Sequence, residues 1–154
     1  MIVAAVCDRR KSLRQPVYMK ETGVESSPAD RPFRFTGRVR SFRYAIAGIF
    51  RMIRCQHNAW IHAACTIAVV SAGFFFQLSR AEWCWIILAI SIVWTAEALN
   101  TALEFLADAA SPSFHPVVRD AKDVAAGAVL ITTVASVVIG VILFWPHAMK
   151  MFSR

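Results

Sequence analysis

The sequence predicts an all-α integral membrane protein, in which three transmembrane helices follow an amphipathic helix on the membrane surface. Three observations support this fold class. First, 57% of the 154 residues are hydrophobic, which is more than a soluble domain of this length usually buries. Second, three apolar runs each approach the roughly 20 residues that a helix needs to cross the hydrocarbon. Third, a strongly basic segment precedes the first run, which is typical of a cytoplasmic flank.

Residues 1–32 are polar and mixed in charge, and no helical or strand period runs through them. We expect a disordered tail here, followed by one membrane domain over residues 33–154. The short apolar run at residues 2–6 does not predict a signal peptide, because basic residues follow it instead of preceding it. Met19 offers an alternative start of translation.

Residues 33–58 predict the amphipathic surface helix. Apolar and basic residues recur in this segment at mostly helical spacing: Phe35, Phe42, Ile46, Ile49, Phe50 and Ile53, with Arg38, Arg40, Arg43, Arg51 and Arg54. No acidic residue occurs between Arg31 and Arg80. The alternative is an amphipathic helix packed on other protein, but membrane spans follow directly, which favours a helix in the headgroup plane.

The three predicted spans cover about residues 59–78, 83–107 and 124–145. An aromatic belt, Trp83 and Trp85, opens the second span. The third span contains no charged residue.

Two connections join the spans. Residues 79–82 form a tight turn, and residues 109–122 form a longer polar connection in which Pro112 and Pro116 interrupt helical structure. Twelve of the seventeen Lys and Arg residues precede the first span, so we expect a cytoplasmic amino terminus and an external carboxyl terminus. The second connection then lies on the cytoplasmic side. The net charge of +7 indicates contact with anionic lipid headgroups, because no recognisable nucleic-acid module is present.

The second span carries four polar residues on one helical face: Glu97, Asn100, Glu104 and Asp108. Their spacing of three, four and four places them within roughly 80° of arc. Ionisable groups in the middle of a span are unfavourable by a few kcal/mol each. A polar seam between helices is the simpler alternative, but three acids on one face favour a functional role.

The position of each acid suggests its chemistry. Glu97 lies deeper and is suited to act as a general base. Glu104, roughly 10 Å further along the helix axis, is nearer to water and is suited to bind a divalent cation. Lys122-Asp123, at the start of the third span, is usually only an anchor and a cap, but here the Lys can contact phosphate oxygens. His62 favours hydrogen bonding at a helix interface over metal ligation.

These residues resemble the signature of the prokaryotic diacylglycerol kinase family, which includes the undecaprenol kinases. The resembling segments are Glu97-Ala-Leu-Asn100-Thr-Ala-Leu-Glu104, Asp108, and Ala121-Lys122-Asp123-Val-Ala-Ala-Gly127-Ala-Val-Leu130. Phe42-Arg-Tyr44-Ala-Ile-Ala-Gly48 and Asn58-Ala-Trp-Ile-His62 resemble the family's amphipathic helix and first span. The resemblance covers roughly residues 35–147.

The resemblance implies a homotrimeric, multi-pass enzyme of the bacterial inner membrane. It implies that the enzyme uses ATP and Mg²⁺ to phosphorylate the hydroxyl of diacylglycerol, giving phosphatidate. Undecaprenol, which would give undecaprenyl phosphate, is the alternative substrate. The expected partners are therefore the membrane lipid, ATP and further copies of the chain, and nucleic acid is not expected.

The resemblance also implies roles for individual residues. Glu97 corresponds to the general base and Glu104 to a metal ligand, with Asn100 and Asp108 as supporting residues. The positions implied for nucleotide binding are Tyr44, Ser113, Phe114, His115, Lys122 and Asp123.

Two positions depart from the family pattern. Gln56 stands where the family has a second metal-binding Glu, and Ala109 stands where it often has Arg. An amide oxygen can still ligate Mg²⁺ without contributing charge, so we predict weaker metal binding unless His57 or a phosphate oxygen compensates. Both changes leave the base and the Lys122-Asp123 pair in place, and we still predict an active kinase.

Two other classes of protein are alternatives. A small proton-coupled transporter could use Glu97 as its titrating group, but it would not account for the polar connection or for Lys122-Asp123. A non-catalytic membrane assembly subunit is the other alternative.

Overall fold

The computed structural model of the protein describes residues 35–111 and 113–153, with side chains from residue 40 onwards. Four α-helices follow one another along the chain: α1 (Phe35–Cys55), α2 (His57–Phe75), α3 (Arg80–Ala110) and α4 (Pro116–Phe152). No β-strand occurs in these described ranges, and α2, α3 and α4 are each long and apolar enough to cross a membrane. The described residues are therefore all-helical, with three candidate transmembrane helices, as the sequence predicts. The predicted disordered tail, residues 1–32, and Pro112 lie outside the described residues.

Helix α1 belongs to a compact unit that ends at Cys55, and the three long apolar helices form a second unit, Gln56–Arg154. The predicted surface helix, residues 33–58, ends at Cys55 in the structure, because Gln56 has an extended backbone with φ −106° and ψ 123°. Phe42, Ile46 and Phe50 on α1 are exposed. Its location at a membrane surface stays a prediction.

A tight turn joins α2 to α3, but it lies before the predicted residues 79–82, because Arg80 is already the first residue of α3. Gln77 adopts the left-handed conformation, with φ 54°, and the Leu78 amide donates to the Gly73 carbonyl over 3.1 Å. Ser79 then caps α3, because its Oγ accepts from the Glu82 amide while the Glu82 carboxylate accepts from the Ser79 amide. This reciprocal pair satisfies amides that the first helical turn leaves unbonded.

Close packing of α2 on α3 requires the glycine at position 73. A Cβ atom there would lie 2.9 Å from Cη2 of Trp83. The Trp83 ring also lies against Phe74, with ring centroids 4.9 Å apart. The aromatic residue predicted to mark the membrane interface therefore also fixes the approach of the two helices.

Helix α4 is longer than the predicted span of residues 124–145. Pro116 is its first residue, where a missing amide hydrogen breaks no helical bond, and the helix also continues past Pro146. Ser136 Oγ on α4 donates to the Ala89 carbonyl on α3 over 3.2 Å. The buried residues of this bundle are mostly small or β-branched, which lets membrane helices approach closely: Ala59, Ile86, Ala89, Val93, Ala125 and Val129.

Candidate active site

The predicted polar stripe lies on α3, and its burial changes steadily along the helix. Glu97 and Asn100 are buried, whereas Glu104 and Asp108 are partly exposed. Thr101 Oγ1 donates to the Glu97 carbonyl over 2.8 Å, so this hydroxyl is satisfied within the helix. The stripe therefore runs from a dry interior position to the wetter end of α3.

Glu97 is the most deeply buried of these acids. Its side chain is 1% exposed, and neither carboxylate oxygen has a hydrogen-bond partner among the described residues. Within the described part of the chain, the basic group at ion-pair distance is His62, whose Nε2 lies 3.9 Å from Glu97 Oε2. Because neither oxygen is engaged by a donor, the side chain is suited to accept a proton from a nearby hydroxyl.

Glu104 is held by two side-chain amides. Gln56 Nε2 donates to its Oε2 over 2.6 Å, and Asn100 Nδ2 donates to its Oε1 over 3.3 Å. The extended backbone at Gln56 starts α2 beside α3 and brings the amide to the carboxylate. Asn100 Oδ1 is buried without a hydrogen-bond partner among the described residues. We call Gln56, Asn100 and Glu104 the amide–carboxylate cluster.

The amide–carboxylate cluster fits a Mg²⁺ ion that arrives with phosphate groups. Mg²⁺ is commonly bound through one or two carboxylates together with substrate phosphates and water. Glu104 supplies one carboxylate, and Asn100 Oδ1 is an oxygen without a partner. Gln56 could ligate after its amide rotates to present oxygen. No group of three or more His, Cys, Asp or Glu side chains suited to a metal occurs among the described residues, so these residues do not form an all-protein metal cage.

A second ion pair joins the end of α3 to the start of α4. Lys122 Nζ donates to Asp108 Oδ1, and both side chains are partly buried. The ammonium group is therefore held at the same end of the bundle as Glu104. The neighbouring Asp123 is exposed.

Four further residues predicted to bind nucleotide are exposed. Ser113, Phe114 and His115 are exposed in the connection between α3 and α4, where Ser111 Oγ donates to the Ser113 carbonyl over 2.9 Å. Tyr44 is exposed on α1, in the other compact unit. Their roles stay predictions.

A cleft of about 210 Å³ lies among α2, α3 and α4. Eight residues line it: Asn58, Ile61, His62, Asn100, Ala126, Val129, Leu130 and Thr133. Thr133 was not predicted as a site residue, and its Oγ1 is buried without a hydrogen-bond partner among the described residues. Helical spacing could have identified it, because it follows Lys122 by eleven residues and so lies on nearly the same face.

Comparison with known proteins identifies the family. The model of the family "Prokaryotic diacylglycerol kinase" matches residues 43–144. The chain belongs to the prokaryotic diacylglycerol kinase family. It is therefore a lipid kinase, and the prediction based on the residue motifs is confirmed. This assignment disfavours the transporter and assembly-subunit alternatives.

Three relatives illustrate the match. The chain is 41% identical over 107 residues to the undecaprenol kinase of Bacillus subtilis, covering 70% of this chain and 87% of the relative. It is 37% identical over 112 residues to a diacylglycerol kinase of Synechocystis, covering 72% and 64%. It is 30% identical over 123 residues to the diacylglycerol kinase of Escherichia coli K12, covering 73% and 93%.

Proposed function

We propose that this lipid kinase transfers the γ-phosphoryl group of ATP to the primary hydroxyl of diacylglycerol, in a Mg²⁺-dependent reaction that gives phosphatidate. One observation carries the proposal. The dry carboxylate of Glu97 shares a helical face with the hydrogen-bonded Glu104, roughly 10 Å away along the axis. A lipid hydroxyl comes from the apolar side of such a site, and a nucleotide comes from the aqueous side.

Phosphoryl transfer depends mainly on positioning and on neutralising charge. As the lipid oxygen attacks the γ-phosphorus, Glu97 accepts the hydroxyl proton. Lys122 contacts phosphate oxygens, and Asp108 orients its ammonium group through their ion pair. Asp123 supports the start of α4, where a negative charge is favourable.

The amide–carboxylate cluster would hold Mg²⁺ in this reaction. When bound, the ion neutralises charge on the phosphates. Glu104 supplies the one carboxylate of the cluster, while Gln56 and Asn100 contribute neutral oxygens. The metal site therefore has one negative charge from protein, and the nucleotide phosphates supply the rest.

We further propose that the enzyme is a multi-pass protein of the bacterial inner membrane with a cytoplasmic amino terminus. The excess of Lys and Arg before α2 supports this orientation, which puts Glu104 and Lys122 on the cytoplasmic side with ATP. The resemblance supports a homotrimer. Light scattering of the detergent-solubilised protein, corrected for bound detergent, measures the number of chains, and a monomer would contradict this part of the proposal.

Undecaprenol is the second candidate substrate, and one observation favours it. The 41% identity to the undecaprenol kinase of Bacillus subtilis, over 87% of that protein, exceeds the identities to the two diacylglycerol kinases. Undecaprenol also presents a primary hydroxyl on an apolar chain, so Glu97 could serve both lipids in the same way.

The test is a phosphorylation assay with the full chain in mixed micelles. Diacylglycerol and undecaprenol are supplied separately with radiolabelled ATP, with Mg²⁺ or with EDTA, and the lipid products are resolved by chromatography. We expect radiolabelled phosphatidate in the reaction with diacylglycerol and Mg²⁺, and none when EDTA replaces Mg²⁺. If undecaprenyl phosphate alone were labelled, undecaprenol would be the substrate instead of diacylglycerol. If neither lipid were labelled, the proposed kinase activity would be contradicted.

A further inference from the structure

His62 lies near the buried carboxylate of Glu97 and also lines the cleft among α2, α3 and α4. Its Nε2 is 3.9 Å from Glu97 Oε2, and its side chain is 12% exposed. Glu97 has no hydrogen bond among the described residues. The imidazole can therefore carry a proton between Glu97 and the cleft.

Two hydrogen bonds connect the backbone of His62 to α3 close to Glu97. Thr66 Oγ1 donates to the His62 carbonyl over 2.7 Å. Trp94 Nε1, one turn before Glu97 on α3, donates to Thr66 Oγ1 over 3.1 Å. This chain of hydrogen bonds fixes the turn of α2 that carries His62 against the turn of α3 that carries Glu97.

We propose that His62 is a positioning residue that takes the proton from Glu97 after each transfer and so returns the base to its carboxylate form. This inference rests on the proposed role of Glu97 in lipid phosphorylation. The lipid O–H proton passes to Glu97 while the new O–P bond forms and the bond from the γ-phosphorus to ADP breaks. The Glu97 proton then passes to His62 Nε2, and the imidazolium releases its Nδ1 proton to water in the cleft. Proton exchange with that water returns the imidazole to the Nδ1–H tautomer, whose Nε2 can accept again.

The geometry allows this second transfer with a small movement. A hydrogen bond needs a separation of about 3 Å, so the two side chains must approach by roughly 1 Å, and catalytic contacts are often long before substrate binds. The cleft-lining residues of α4 carry no ionisable group. Among the described ion pairs, the α3 residue that His62 approaches is Glu97. The other histidine on α2 is His57.

The experiment replaces His62 and attempts chemical rescue. We expect His62→Gln and His62→Ala to lower kcat about a hundredfold, the lower end of the usual contribution of a proton-transfer group, with the KM values for lipid and ATP nearly unchanged. Added imidazole should restore kcat in His62→Ala, since the cleft of about 210 Å³ can admit the ring. Pyrrole, a ring of similar size without a basic nitrogen, should not restore it.

The pH dependence of the rescue separates a proton acceptor from a counter-ion. At constant total imidazole, rescue should increase with pH as the neutral fraction of imidazole increases. Rescue that follows imidazolium instead, or equal rescue by pyrrole, would overturn the proposal. Full kcat in both variants would overturn it as well.

His147→Gln is the matched control. His147 contacts Glu82 over 2.8 Å at the other end of α3 and has no part in the proposed chemistry, so kcat should be unchanged. Circular dichroism and thermal unfolding in detergent check that each variant folds. If His62→Ala fails to fold, His62→Gln with the same kcat comparison decides, and its full activity would still refute the role. An inactive wild-type protein would contradict the proposed function itself.

Discussion

Gln56 Nε2 donates a 2.6 Å hydrogen bond to Glu104 Oε2, joining two side chains that are 48 residues apart in the sequence. Gln56 stands at the position where the family resemblance implies a second metal-binding Glu. In the structure this amide stabilises the remaining carboxylate instead of adding a second one. The Mg²⁺ site proposed at the amide–carboxylate cluster therefore has one protein carboxylate, Glu104.

Gln56→Glu should strengthen Mg²⁺ binding, because the number of charged ligands tunes the affinity of such sites. We expect the Mg²⁺ concentration for half-maximal activity to fall about tenfold. Without Mg²⁺ the variant should unfold at a lower temperature than wild type, because two adjacent carboxylates repel each other. A Mg²⁺ titration of activity, paired with thermal unfolding in detergent with and without Mg²⁺, measures both effects.

Gln77→Glu is the control for that substitution. Gln77 is exposed in the turn between α2 and α3, at the far end of the bundle from Glu104. The same change of charge there should leave the Mg²⁺ dependence unaltered. An equal shift in both variants would mean that net charge, and not ligation by residue 56, determines the metal response.

Glu97→Gln should lower kcat about 10²- to 10⁴-fold, the usual contribution of a general base. Thermal stability should be retained or increased, because an amide is less unfavourable to bury than a carboxylate without hydrogen bonds. Steady-state kinetics and unfolding in detergent test the two statements separately. Glu82→Gln, on the same helix but at its capped start, should keep its kcat. Full activity of Glu97→Gln would remove Glu97 from the mechanism.

Lys122→Met should raise the KM for ATP about tenfold, as a charge-assisted contact to phosphate is lost. Asp108→Asn should raise it less, because it removes only the partner that orients the ammonium group. The double variant should show less than the sum of the two free-energy changes, since the residues act as a pair.

Arg119→Met provides the comparison for this pair. Arg119 forms an exposed ion pair with Asp120, with side chains 61% and 63% exposed. Such surface pairs contribute about 0–1 kcal/mol, so both stability and the KM for ATP should change little. If Lys122→Met behaved in the same way as Arg119→Met, the contact of Lys122 with phosphate would be refuted.

Gly73→Ala should destabilise the bundle by about 1–3 kcal/mol, the usual result of overpacking. The added methyl would lie 2.9 Å from the Trp83 ring, which must move or push α2 away from α3. Gly140→Ala is the matched change on α4, where no described atom lies within 4 Å of the added Cβ. It should stabilise the protein by about 0.5–1 kcal/mol. Equal effects of the two substitutions on unfolding would contradict the packing argument.

Periodicity and composition predicted the three membrane helices, because each is a long apolar run and a bilayer requires its backbone to be hydrogen-bonded within the helix. The ends of α4 were not predictable in the same way. Pro116 was expected to interrupt helical structure, yet it is the first residue of α4, and the helix continues through Pro146, past the predicted end at residue 145. Proline restricts the backbone locally, and helix length in a bundle also depends on packing and capping.

The sequence alone determined the composition of the site: a stripe of Glu97, Asn100, Glu104 and Asp108 on one face of α3, and Lys122 near the start of α4. Their spacing is a property of one helix at a time, so it could be read directly from the chain. Only the tertiary structure decided which residues from other helices meet that stripe. The contact of Gln56 with Glu104 and the approach of His62 to Glu97 depend on how α2 packs against α3, and no local pattern encodes that distance.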